Sequence, residues 1–61
     1  MKPVCKLTGE DGNIYNLIGI ASRALKSAGE PEKAEEMKQR VLNSGSYDEA
    51  LRVIMEFVEV E

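Results

Sequence analysis

The chain has no histidine, no tryptophan and a single cysteine, and each absence removes a chemistry. Without histidine there is no near-neutral proton shuttle, no histidine-based triad and no histidine metal cluster. One cysteine cannot close an intrachain disulfide. No apolar run approaches the roughly 20 residues that span a bilayer, and Met1-Lys2-Pro3-Val4-Cys5-Lys6 lacks the apolar stretch of a secretory leader. A soluble cytoplasmic protein with no membrane partner is the expectation. Enzymatic chemistry has few tools here, so no catalytic residue, cofactor or metal is expected.

What is present is 61 residues, 43% of them hydrophobic, enough for one small folded domain spanning 1–61 and too few for a wide margin of stability. Eight Lys and Arg face 11 Asp and Glu, a net charge of -3. That balance opposes the counterion release behind most binding to phosphate backbones, so nucleic acid is not an expected partner.

Residues 2–7 alternate, with Pro3, Cys5 and Leu7 on one side, which predicts a half-buried strand. From Ile14 the period becomes helical: Ile14, Leu17, Ile18, Ala21, Leu25 and Ala28 form one stripe. Asp11 or Asn13 can cap its start, and Gly29 can close its end in the left-handed conformation. Pro31 opens a second helix over about 31–43 with a narrow stripe of Ala34, Met37 and Val41, and Glu36 and Arg40 spaced to pair on its wet face. Ser46-Tyr47-Asp48-Glu49 is a capping box in which the glutamate reaches back to the serine N–H. The third helix that follows is apolar over more than half its circumference and is expected to be central. Val58-Glu59-Val60-Glu61 alternates again and predicts a second strand.

These elements predict an α+β, mainly α, domain: three helices and a short two-stranded antiparallel sheet formed by the N- and C-termini. Outward Lys2 and Lys6 would then lie near outward Glu59 and Glu61. The expected core is Cys5, Leu7, Ile14, Leu17, Ile18, Ala21, Leu25, Met37, Val41, Leu51, Ile54 and Val58. A two-stranded sheet has open edges that invite another chain, so a homodimer is left open.

Cys5 is the one candidate nucleophile, and its place beside Leu7 favours a small buried hydrophobe. Glu10, Asp11 and Asn13 around Gly12 bear a faint likeness to half a calcium loop, but without the required ligand spacing they serve better as a turn and helix cap. The outer side of the first helix is more informative. Tyr15, Gly19, Ser22 and Lys26 fall within an arc of about 60°, with Arg23 adjacent. An exposed helical glycine costs about 1 kcal/mol against alanine. Gly19 is either a notch for a partner's backbone, with Tyr15 as anchor and Arg23 and Lys26 as charges, or a point of close packing within the same molecule.

Two resemblances add to this. Gly45-Ser46-Tyr47-Asp48-Glu49-Ala50 resembles the Gly-x-Tyr-x-Glu-Ala turn of tetratricopeptide repeats, although the chain is too short for the three repeats such a core needs. Over nearly the whole length, Cys5-Lys6-Leu7-Thr8-Gly9-Glu10-Asp11-Gly12-Asn13, Leu17-Ile18-Gly19, Ser22-Arg23-Ala24-Leu25, Ser44 through Leu51 and Glu59-Val60 are similar to an uncharacterised family of small bacterial proteins found in phages and mobile genetic elements. The resemblance implies that genomic setting and a self-contained domain, and brings no activity or ligand with it. The expected function is that of a small non-enzymatic accessory protein acting by protein–protein contact. The alternative is a nucleic-acid-linked regulator, either a weak helix-turn-helix binder or an acidic DNA mimic.

Overall fold

A computed structural model describes residues 1–61 as β1 (Val4–Cys5), α1 (Ile14–Ser27), α2 (Pro31–Leu42), α3 (Tyr47–Phe57) and β2 (Glu59–Val60). Each helix boundary has a local cause. Asn13 caps α1, its side-chain oxygen accepting from Tyr15 N–H at 2.9 Å, while Asp11 accepts from Asn13 N–H at 3.1 Å. The other end closes in a Schellman motif: Gly29 sits at φ 78°, Glu30 N–H donates to Leu25 C=O at 2.9 Å, and Gly29 N–H donates to Lys26 C=O at 3.0 Å. Pro31 occupies the first turn of α2, where its missing N–H costs nothing. Ser46 caps α3 by accepting from Glu49 N–H at 3.1 Å, but the Glu49 carboxylate accepts from Gly45 N–H at 2.7 Å and not from Ser46. The reciprocal half of the capping box is therefore displaced by one residue.

The two strands pair in parallel, Val4 with Glu59 and Cys5 with Val60, which corrects the antiparallel expectation. The physical reason lies in the connections. Between β1 and β2 the chain makes three helices joined by short loops, and short helix–helix loops place neighbours antiparallel. With an odd number of alternating helices between them, both strands run in the same direction. Glu59 N–H donates to Pro3 C=O at 2.8 Å and Glu61 N–H to Cys5 C=O at 2.9 Å, while the Glu61 main-chain oxygen accepts from Leu7 N–H, Thr8 N–H and the Thr8 hydroxyl. The charge pairing expected of an antiparallel ribbon is also absent: Lys2 donates to the Met55 carbonyl at 3.0 Å, and the ion pairs formed are Lys33 with Glu30 and Arg40 with Glu56. Arg40 thus reaches across to α3 in preference to Glu36 on its own helix.

Twelve side chains are buried and all are apolar. Nine of the expected core residues are among them; Leu7, Ile14 and Leu51 pack at the margin, and Ala34, Ala50 and Val53 take interior places. The substitution follows from helix packing. α2, and not the third helix as expected, lies between the other two and touches both, so Ala34 is enclosed there together with Met37 and Val41. Its buried stripe is as narrow as the sequence indicates, Ala34, Met37 and Val41, with every other α2 side chain exposed.

Candidate functional site

The α1–α2 hairpin turns about Ala28 and Gly29, and counting back from that turn at equal rise on the two helices matches Tyr15 with Leu42, Gly19 with Lys38 and Ser22 with Glu35. The outer side of this pair is a groove of about 320 Å³, lined on α1 by Tyr15, Ile18, Gly19, Ser22 and Lys26 and on α2 by Ala34, Glu35, Lys38 and Leu42. Four of the five residues singled out in the sequence therefore come together. Arg23 does not line the groove; it stands exposed beside it.

Gly19 discriminates between its two explanations. A Cβ built there would meet nothing within 4 Å, so no neighbouring element of the chain needs the glycine for close approach. The packing explanation is excluded, and the helix carries the propensity penalty uncompensated within the molecule. Around the notch, Tyr15 is 71% exposed and Leu42 49% exposed, large apolar groups left in water at one end. Lys26 and Lys38 form no ion pair with any carboxylate of the chain, and Glu35 accepts from Gln39 at 3.2 Å.

A second groove, about 380 Å³, shares Tyr15 and Leu42 with the first and continues past Ser44, Gly45 and Ser46 to Tyr47. Tyr47 in turn borders an apolar corner of about 290 Å³ with Leu7, Leu17, Leu51, Met55 and Val60. Five of the seven large exposed apolar side chains, Tyr15, Leu42, Tyr47, Met55 and Val60, thus lie along one connected belt. The Tyr47 hydroxyl donates to Gly12 C=O, tying the first turn of α3 to the loop before α1.

The α2 wall was not among the residues singled out in the sequence. Leu42, Lys38 and Glu35 recur at helical spacing beside the buried stripe, and folding the two helices back about Gly29 would have matched them to Tyr15, Gly19 and Ser22. Elsewhere the chemistry is sparse. Cys5 is buried, and desolvation pushes its thiol pKa up, holding it protonated. Asp11 and Asn13 are engaged in the turn and cap, and no group of three or more His, Cys, Asp or Glu is gathered to hold a metal ion. No helix is long and apolar enough to cross a membrane. No protein-family model, curated protein or solved structure matches the chain.

Proposed function

We propose that this chain is a non-enzymatic binding module, an accessory protein that captures a protein partner in the groove between α1 and α2. The observation that carries this reading is Gly19: a mid-helix glycine facing open space, flanked by exposed Tyr15 and Leu42. A partner's backbone lying over the notch would offset the helical penalty and cover the aromatic anchor. The phage or mobile-element setting implied by the resemblance, and a cytoplasmic location, belong to the same proposal.

A helix-turn-helix role fits less well. The second helix of such a pair would enter the groove of DNA, and α3 exposes Asp48, Glu49 and Glu56 against Arg52 alone, so carboxylates would meet phosphates. Mimicry of DNA fits poorly too, because Glu30 and Glu56 are engaged by Lys33 and Arg40.

The test is parallel affinity capture from the natural host with the native chain and with Gly19→Gln, folding of both being verified by circular dichroism. A protein retained by the native chain and lost with the variant supports the groove. Identical captured proteins with both would remove this surface from consideration.

A further inference from the structure

We infer that the segment received by the groove is an amphipathic helix with apolar residues at one end and carboxylates towards the other; this rests on the groove being the binding site. The floor is made of Gly19, Ser22 and Ala34, whose short side chains let a helix axis come close. From Tyr15 to Lys26 the α1 wall runs about 16 Å at 1.5 Å per residue, the length of roughly three helical turns. Such a helix would lie on the α1–α2 pair much as α3 lies on its other side, completing a four-helix arrangement.

Charge selects among helices. The molecule is acidic overall, at -3, yet the groove holds Lys26 on one wall and Lys38 on the other, neither matched by a carboxylate of the chain. Glu35, the acidic group between them, is turned to Gln39 on its own helix. An occupant carrying Asp or Glu about two turns apart can meet both lysines, while its apolar residues cover Tyr15, Ile18 and Leu42. A basic helix would bring like charges together at the same two points, and repulsion of that kind sets specificity more than total affinity does. A nucleic-acid strand would satisfy the lysines and leave Tyr15 and Leu42 facing phosphates.

The test is selection of displayed random peptides on the intact chain, followed by mapping of the selected peptide on the 15N-labelled protein by NMR. Expected are peptides with helical apolar periodicity and Asp or Glu near one end, shifting amides of residues 15–26 and 34–42. The double variant Lys26→Glu, Lys38→Glu should weaken them by on the order of tenfold or more and favour their Lys-for-Glu counterparts. Selected peptides that map to the groove but are basic or uncharged would overturn this inference and leave the groove reading standing. Peptides that map elsewhere, or a DNA duplex that displaces the selected peptide, would overturn both.

Discussion

Buried and with its thiol pKa raised by desolvation, Cys5 packs as a small apolar side chain on the inner face of β1. Its alkylation by iodoacetamide should be slow in the native protein and should accelerate in urea together with loss of helical circular dichroism. Rapid native-state labelling would place the thiol in water and contradict the assignment. Tyr47 is a different case, half in solvent but bonded to the Gly12 carbonyl. Tyr47→Phe removes one hydrogen bond and leaves the ring contacts, so a loss of about 0.5–1.5 kcal/mol is expected by chemical denaturation. Cys5 was legible in the sequence because alternation assigns its side. The Tyr47 bond was not, since it joins residues 35 positions apart and depends on how the loop before α1 meets α3.

Among the elements, the helix ends carry the local information. Gly29→Ala forces a Cβ into φ 78° and should destabilise by about 1 kcal/mol, even though no neighbour would clash with it. The helix-to-helix ion pair has a pH signature. Two hydrogen bonds from the Arg40 guanidinium, at 2.8 and 2.9 Å, hold the Glu56 carboxyl below the usual carboxylate range. Because the folded-state pKa is depressed, the pair contributes at pH values above the unfolded pKa and loses its contribution as pH falls through the folded one. Both groups are open to solvent, so the acid limb should be shallow, and Glu56→Gln should flatten it further. The three helices, both strands and the ends made by Asn13, Gly29 and Ser46 were legible because each rests on spacing and capping within a few residues, whereas the Glu49 carboxylate taking Gly45 N–H instead of Ser46 N–H was not. Arg40 choosing Glu56 over Glu36 was not, because that partner is brought near only when α3 packs on α2.

At the scale of the whole molecule, strand direction follows from the number of reversals between β1 and β2, a quantity present in the sequence once three helices with short loops are recognised. The antiparallel expectation did not count those reversals, and the charge matching at the two ends that accompanied it contributes too little to decide a topology. Protection of the Glu59 and Glu61 amides from hydrogen exchange, with an NMR contact between Val4 and Glu59, is expected of the parallel register. A domain this small has a narrow margin of stability, so a glycine in mid-helix with no packing purpose is an unusual expense. The most direct measurement therefore takes Gly19→Ala and the native chain together, recording urea denaturation and affinity for the captured partner. The expected result is a gain of about 0.5–1 kcal/mol in stability with a loss of binding. A variant that is more stable and binds as well as the native chain, or one that is less stable, would contradict the claim that the notch exists for a partner.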